Sequence, residues 1–223
     1  MKTGRIILLN GTSSSGKTSI AKEFQKLVKT PFLYTGLDQF MAMIPENFIG
    51  INLKQDDIAC RGIHLQTEKG CLTRIIYGSL GLEVIKAMHH SIAHLAAAGL
   101  DLIVDDLIPE AFLKNYLQTI NHERVYLVGV RCPLAEVEKR EQLRKDRIKG
   151  TARLEHEWVH QPGIYDLELH TQQQSAQECA SQLLNFIFQE KPFTAFDQLR
   201  QKYNQPYLLP DHLEFGVSPH FKN

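Results

Sequence analysis

The sequence predicts an α/β protein, a three-layer sandwich in which a five-stranded parallel sheet lies between two layers of helices. Short apolar runs near residues 6, 33, 103, 127 and 168 alternate with segments of helical periodicity, as strand–helix–strand units do. The runs near residues 6 and 103 are continuously apolar, which is typical of strands covered on both faces. The 223 residues are enough for one such domain with a sizeable core.

The first three predicted elements follow one another closely. Residues 5–9 predict the first strand, and apolar residues recur at helical spacing over residues 18–28. Pro31 ends that helix, and residues 32–35 predict the second strand. The chain leaves this strand at residues 36–40, on the carboxyl edge where ligands collect in open α/β sheets.

The middle of the chain contains its least regular part. Residues 45–73 show no sustained periodicity, and two interpretations stay open: loops and short helices that cover a pocket, or a solvated insertion. Residues 80–95 predict a long helix that Gly99 ends. Residues 101–106 then predict a buried strand that finishes in two carboxylates.

The second half predicts the rest of the sandwich. Residues 109–120 predict a helix and residues 124–130 a strand, and Pro133 begins a charged helix. A short strand at residues 166–169 and an amphipathic helix at 175–188 complete the pattern.

The predicted elements also give a domain division. Residues 1–190 form the domain, with a lid at about residues 140–153. Residues 191–223, rich in proline and aromatic side chains, are expected to be a C-terminal extension packed on that domain.

Composition excludes several classes of function. The chain has 25 Lys and Arg against 25 Asp and Glu, so no overall positive field favours nucleic acid or an anionic membrane. Its four cysteines lack a zinc-type spacing, and reduced thiols are expected. No apolar run reaches membrane-spanning length, and no signal peptide precedes the first strand. We therefore expect a cytoplasmic protein, whose oligomeric state the sequence leaves open.

One motif dominates the sequence. Residues 11–18 match Gly-x4-Gly-Lys-Thr between a predicted strand and a predicted helix, the context that this phosphate-binding motif requires. Glycine lets the backbone approach a phosphate closely, and the loop N–H groups then converge on the anion. A serine- and glycine-rich turn is the alternative, and the full match in context disfavours it. The predicted nucleotide-binding residues are Gly11, Thr12, Ser13, Ser14, Ser15, Gly16, Lys17 and Thr18.

The motif also predicts the ligands. Lys17 is expected to reach the β- and γ-phosphates of a nucleoside triphosphate, most simply ATP. The Thr18 hydroxyl is expected to bind Mg²⁺. Asp105 and Asp106 end a buried strand and are predicted to serve the metal or the substrate. Strand alternation points the two carboxylates to opposite sides, so which one serves the metal stays open, as does pairing of one with a surface cation.

Asp38 is the candidate general base. It follows the second predicted strand, on the same edge as the phosphate loop, where a carboxylate can accept the proton of an attacking hydroxyl. By position alone, an aspartate that caps the next helix is an equally good interpretation.

Three arginines are candidates for a phosphate clamp. Arg140, Arg144 and Arg147 are spaced at i, i+4 and i+7, which predicts one helical face that carries three guanidinium groups. Phosphoryl transfer needs such cations to neutralise the moving group, and Gly150 could act as the hinge of a closing lid. The alternative is an ordinary solvated helix in which the arginines pair with glutamates.

These motifs together resemble the chloramphenicol phosphotransferase-like family over residues 4 to about 188. The segments that carry the resemblance are residues 7–18, 36–38, 104–106, 129–133, 140–141, 144–147, 159–160 and 165–168. The resemblance implies a small-molecule kinase fold, related to nucleotide and shikimate kinases, that transfers the γ-phosphate of ATP to a hydroxyl. It also implies that Asp38 is the general base and that the arginines of residues 140–147 are lid arginines. Residues 45–73 and the tail after residue 188 show no such similarity.

The sequence therefore predicts an ATP- and Mg²⁺-dependent O-phosphotransferase whose acceptor is a small-molecule hydroxyl, chloramphenicol-like or an unidentified alcohol. Two rival hypotheses stay open. One is a nucleotide or sugar kinase with the same fold. The other is a nucleotide-binding regulatory protein whose partner surface is the C-terminal extension.

Overall fold

A computed structural model of the protein describes residues 3–54, 57–121, 124–161, 163–189 and 195–216. Its strands are β1 (Ile6–Asn10), β2 (Phe32–Gly36), β3 (Ile49–Ile51), β4 (Ile63–Glu68), β5 (Cys71–Tyr77), β6 (Asp101–Asp106), β7 (Val125–Arg131), β8 (Leu167–His170) and β9 (Leu213–Gly216). Its α-helices are α1 (Lys17–Leu27), α2 (Leu37–Met41), α3 (Ser79–Ala97), α4 (Glu110–Thr119), α5 (Leu134–Gln142), α6 (Thr151–His156), α7 (Ala176–Ile187) and α8 (Ala195–Lys202).

The centre of the fold is a five-stranded parallel sheet in the order β2-β6-β1-β7-β8. These are the five strands that the apolar runs predicted, so the predicted fold class is confirmed. In the register of the sheet, Asn10 lies beside Asp106 and Gly129, and Gly36 lies beside Asp105. The carboxyl ends of β1, β2 and β6 therefore meet at one edge, where the phosphate loop and α2 begin.

Side chains on the two faces of this sheet enter two separate apolar layers. Ile6 and Leu8 of β1 pack into the layer that α3, α4 and α8 cover. Ile7 and Leu9 alternate into the layer that α1 and α7 cover. All four side chains are fully buried, and burial of each contributes about 1.5–3 kcal/mol. Strand β1 is thus held firmly from both sides, which fixes the start of the phosphate loop.

A second sheet, in the order β3-β4-β5-β9, was not predicted. Of the two interpretations of residues 45–73, the pocket-covering one was right about position, since this segment lines the cavity described below, but wrong about structure: it holds β3, β4 and the start of β5, with only short 3₁₀ turns at Glu46–Phe48 and Ile58–Arg61. Strands β4 and β5 form a hairpin whose two turn residues, Lys69 and Gly70, have positive φ angles of 51° and 77°. Such a turn is usually marked by Asn-Gly, and Lys-Gly gives a weaker signal.

The C-terminal segment supplies the last strand of that sheet. Strand β9 pairs antiparallel with β5, and Phe215 stacks on Trp158 with ring centroids 4.6 Å apart. Phe196 and Leu199 of α8 enter the main core. Residues 191–194 and 217–223 of the predicted extension lie outside the described residues. The domain boundary near residue 190 stays a prediction.

The arginine-rich helix is shorter than predicted. Helix α5 ends at Gln142, so only Arg140 belongs to it, and the prediction of three arginines on one helical face is wrong. The buried Glu141 carboxylate accepts hydrogen bonds from the backbone N–H groups of Gly150 (2.8 Å) and Ala152 (2.7 Å). These bonds turn the chain back towards α5. Residues 143–150, called the arginine loop below, therefore carry Arg144 and Arg147.

Among the described helices, none is both long enough and apolar enough to span a bilayer.

Candidate active site

A cavity of about 790 Å³ lies at the carboxyl edge of the main sheet. The phosphate loop, α2, the arginine loop and the second sheet enclose it. The predicted site residues that line it are Ser13, Ser14, Gly16, Lys17, Thr18, Asp38, Asp105, Asp106, Arg140, Arg144 and Arg147. Gly11, Thr12 and Ser15 are buried within the loop itself.

The phosphate loop has the backbone that its glycines predict. Gly16 has a φ of 103°, in the left-handed region that glycine adopts without strain. A side chain at Gly11 would place its Cβ 2.6 Å from the Val130 carbonyl oxygen. The loop wraps around Lys17, whose Nζ donates to the carbonyl oxygens of Gly11 (2.7 Å) and Thr12 (2.9 Å).

Three hydroxyl groups of this loop are buried without a partner. The Oγ atoms of Ser13, Ser14 and Ser15 make no hydrogen bond to any described residue. Helix α1 begins at Lys17 without a side-chain cap, so its first N–H groups also face the loop. A buried unpaired polar group costs about 1–3 kcal/mol, and a bound phosphate supplies the missing acceptors. The loop therefore fits a phosphate group.

Asp105 and Asp106 face different surroundings, as strand alternation predicts. The Thr18 hydroxyl donates to Asp105 Oδ2, and Lys17 Nζ lies 3.5 Å from Asp105 Oδ1. Asp106 is buried and accepts from the Tyr116 hydroxyl (2.6 Å) and from the Leu107 N–H (2.7 Å). Burial raises the pKa of Asp106 to about 7. Thr18 and Asp105 are thus the pair whose oxygens share the mouth of the loop.

Asp38 lies in the first turn of α2, with its side chain 69% exposed. Its carboxylate forms an ion pair with Arg147 Nη2. The helix begins at Leu37 after Gly36, so the interpretation of Asp38 as a helix cap is wrong. Asp38 faces the cavity that Lys17 also lines.

The other two arginines make different contacts. Arg140 donates to the Thr171 carbonyl (2.8 Å) and the Thr171 hydroxyl (3.2 Å), beside the phosphate loop. Arg144 pairs with Asp146 through two nitrogens. All three arginines reach the cavity, although one helix does not present them.

One side of the cavity is apolar. The backbone N–H of Leu72 in β5 donates to the Lys149 carbonyl (2.7 Å), which joins the arginine loop to the second sheet. We call the apolar lining side chains of this region the apolar wall: Leu37, Met41, Ile49, Ile63, Leu65, Leu72, Ile75, Tyr77, Leu107 and Ile148. Sequence reasoning missed this surface because it missed the second sheet.

Sequence reasoning also missed Glu155. This glutamate of α6 is 5% exposed, lines the cavity and accepts a hydrogen bond from the Ser13 N–H (2.5 Å). Burial raises its pKa to about 7, although the Ser13 hydrogen bond and the nearby Lys17 and Arg147 act in the other direction. Nothing in the sequence separates Glu155 from Glu157, which is only partly buried.

The sheet order, the phosphate loop and the position of the cavity define a P-loop kinase fold. A sugar kinase structure from Janibacter sp. HTCC2649 is similar, with a TM-score of 0.58 at 16% identity over 82% of this chain and 94% of that one. The Mycobacterium tuberculosis APS kinase CysC, solved in complex with AMPPNP and APS, gives a TM-score of 0.52 at 18% identity over 84% and 99%. The two TM-scores show a shared fold, and at identities this low they show the fold alone.

The chain belongs to the chloramphenicol phosphotransferase-like family, whose sequence profile matches residues 4–187. The predicted resemblance is therefore confirmed. A Mycobacterium tuberculosis H37Rv protein named "Putative O-phosphotransferase Rv2636" is 28% identical over 205 residues, which cover 91% of each chain. Family and fold together indicate a small-molecule kinase or phosphotransferase.

Proposed function

We propose that the protein transfers the γ-phosphate of ATP to a hydroxyl group on a small molecule. One observation carries the proposal: the Asp38 carboxylate and the Lys17 phosphate loop line the same cavity. A general base and a phosphate-binding lysine that share a cavity are the two groups that a hydroxyl phosphotransferase needs.

The loop supports binding of a nucleoside triphosphate. Its unpaired serine hydroxyls and the first N–H groups of α1 face the same anion site. Lys17 exchanges its loop carbonyl acceptors for the β- and γ-phosphates, and Arg140 lies beside the loop at Thr171. The AMPPNP complex of APS kinase, which has this fold, is consistent with the assignment.

Thr18 and Asp105 are the residues that would hold Mg²⁺. Their side-chain oxygens already meet, and Mg²⁺ prefers oxygen ligands. Both Asp106 oxygens are used by Tyr116 and Leu107, so we leave Asp106 out of the metal site. Mg²⁺ would neutralise charge on the phosphates during transfer.

Asp38 acts as the base in the proposed reaction. Its carboxylate accepts the proton of the acceptor hydroxyl as that oxygen bonds to the γ-phosphorus and the bond to the β-phosphate oxygen breaks. The ion pair with Arg147 holds Asp38 before the acceptor binds. When the hydroxyl takes this place, the Arg147 guanidinium is released towards the transferring phosphate, where it stabilises the developing negative charge.

The apolar wall favours one class of acceptor. A hydroxyl group pressed against this wall without a hydrogen-bond partner costs about 1–3 kcal/mol, whereas each buried CH₂ group gains about 0.8 kcal/mol. An alcohol with a largely apolar body, a class that includes chloramphenicol-like molecules, therefore suits the cavity better than a sugar or a nucleotide does.

A screen of acceptors tests the proposal. Purified protein with Mg²⁺ and ATP is incubated with apolar alcohols, sugars and nucleosides, and mass spectrometry identifies products that have gained a phosphate. We expect phosphorylated apolar alcohols from the wild type and none from Lys17→Ala, whereas Lys22→Ala, an exposed lysine on α1, keeps the activity.

One outcome would contradict the apolar acceptor class, and another would contradict the transfer itself. Products from sugars or nucleosides alone favour the rival kinase. Tight ATP binding without any product favours the regulatory protein.

A further inference from the structure

A buried carboxylate occupies the rim of the phosphate loop. Glu155 is 5% exposed, and its Oε2 accepts the Ser13 N–H. This N–H belongs to a loop that otherwise presents donors to a phosphate, so Glu155 fills one position of an anion site with the protein's own anion. The proposed transfer mechanism leaves this residue without a role.

Charged groups from several elements surround Glu155. Lys17 of α1 and Arg147 of the arginine loop favour its ionised form, and Asp38 of α2 opposes it. Burial raises the pKa of Tyr77 in β5, and the charge of the Glu155 carboxylate raises it further. The carboxylates of Glu155 and Asp38 and the cations of Lys17 and Arg147 thus all line the cavity.

The glutamate has two protonation states with opposite effects on a γ-phosphate. As a carboxylate it repels the phosphate and keeps the Ser13 N–H. As a neutral acid it can accept the Ser13 N–H with its carbonyl oxygen and donate its O–H to a phosphate oxygen. Burial raises the pKa of Glu155 to about 7, so both states are populated near neutral pH.

We propose that Glu155 is a nucleotide-binding residue that makes binding depend on proton uptake: its neutral acid form admits the γ-phosphate and hydrogen-bonds to it. The inference rests on the proposed ATP site. The step is a single proton transfer: an O–H bond forms on the Glu155 carboxylate as the triphosphate binds, and a solvent or buffer acid loses that proton. Nucleotide affinity then falls as the pH rises above neutrality.

Glu155→Gln separates this role from a purely structural one. Glutamine keeps the shape of the side chain and an oxygen that accepts the Ser13 N–H, but it does not titrate. Glu83→Gln, at an exposed position on α3, is the matched control. Calorimetric titration of each protein with AMPPNP and Mg²⁺ over pH 6–9, in buffers of different ionisation enthalpy, gives the affinity and the protons taken up.

We expect the wild type and Glu83→Gln to lose affinity roughly tenfold per pH unit above the Glu155 pKa, relative to Glu155→Gln. The free nucleotide titrates equally in all three experiments, so the difference between proteins belongs to Glu155. A second measurement needs no variant: the wild type should take up more protons with AMPPNP than with ADP, after correction for the free nucleotides, because ADP lacks the γ-phosphate.

The outcomes distinguish this inference from the proposed function. Tight AMPPNP binding with the same pH dependence in all three proteins, or equal proton uptake with AMPPNP and ADP, overturns the role of Glu155 and leaves the proposed function standing. Failure of every protein to bind AMPPNP overturns the proposed function and this inference with it.

Discussion

Asp105 and Asp106 are neighbours at the end of β6, yet their carboxylates lie in different surroundings. The side chain of Asp105 meets Thr18 and Lys17, whereas that of Asp106 meets Tyr116 in the core. Alternation along β6 is the cause. The sequence predicted that two carboxylates end this strand and that they point in opposite directions. Their contacts show that Asp105 faces the phosphate loop and Asp106 faces the core.

The two asparagine variants of this pair should therefore differ. Asp105→Asn should raise the Mg²⁺ concentration needed for half-maximal AMPPNP binding by roughly 10- to 100-fold, because it weakens the proposed metal site. Asp106→Asn should leave that concentration unchanged and lower the free energy of unfolding by about 1 kcal/mol, since the amide oxygen still accepts the Leu107 N–H and the NH₂ group can donate to the Tyr116 hydroxyl, but a neutral amide replaces the carboxylate. Equal Mg²⁺ dependence of both variants would contradict the assignment.

Glu155 should also make stability depend on pH without any nucleotide. Its folded pKa of about 7 lies above the ordinary value of 4.5, so its contribution to stability is fully present below pH 4.5 and is lost as the pH rises through 7. Relative to the wild type, Glu155→Gln should gain about 1–3 kcal/mol of unfolding free energy between pH 5 and pH 8. Urea denaturation at the two pH values measures this gain, and a constant difference would argue against it.

Under the proposed function, the second sheet is the element that supplies the acceptor surface. Side chains of β4 and β5 line the same cavity as the phosphate loop, and the hydrogen bond from the Leu72 N–H to the Lys149 carbonyl joins the sheet to the arginine loop. Leu65 of β4 belongs to the apolar wall and is partly buried. The acceptor should therefore contact it, while the nucleotide should not.

Leu65→Ser tests this division of the cavity. Loss of the apolar contact, about 1.5–3 kcal/mol, should raise the acceptor KM roughly 10- to 100-fold while the KM for ATP stays within about threefold. Leu208→Ser, at a position that is 90% exposed, should change neither value. An equal rise in both KM values for Leu65→Ser would place the acceptor elsewhere.

The C-terminal strand β9 is a structural part of that second sheet. Phe215 contacts the aromatic rings of Trp158, Tyr77 and Phe112. Phe215→Ala should therefore lower the free energy of unfolding by about 2–4 kcal/mol. Phe188→Ala, whose side chain is half exposed, should cost under about 1 kcal/mol. A small effect at Phe215 would instead suit a tail that serves as a separate partner surface.

At the scale of the whole molecule, the parts that could be predicted are those with a local cause. Each strand of the main sheet is an apolar run in one place, and the phosphate loop is one contiguous motif. Asp38 could be located because it directly follows one of these strands. Its position in the cavity agrees with the prediction, and its role as base stays a proposal.

The parts that could not be predicted depend on partners that are distant in sequence. Strand β5 gains its neighbour β9 only about 140 residues later, so no local window shows this pairing. Helix α5 ends early because the buried Glu141 carboxylate accepts hydrogen bonds from backbone N–H groups at the end of the arginine loop and at the start of α6. Burial of Glu155 likewise arises from tertiary packing. Helical spacing alone could not reveal either contact.

The activity of Asp38→Asn is the measurement that tests the central claim most directly. With an acceptor from the screen, this variant should lose roughly 10²- to 10⁴-fold in kcat, because the attacking hydroxyl has no base. Its affinity for AMPPNP should stay within about threefold of the wild type, and Asp211→Asn, at an exposed position, should keep full activity. An Asp38→Asn variant that phosphorylates the acceptor at the wild-type rate would contradict the account.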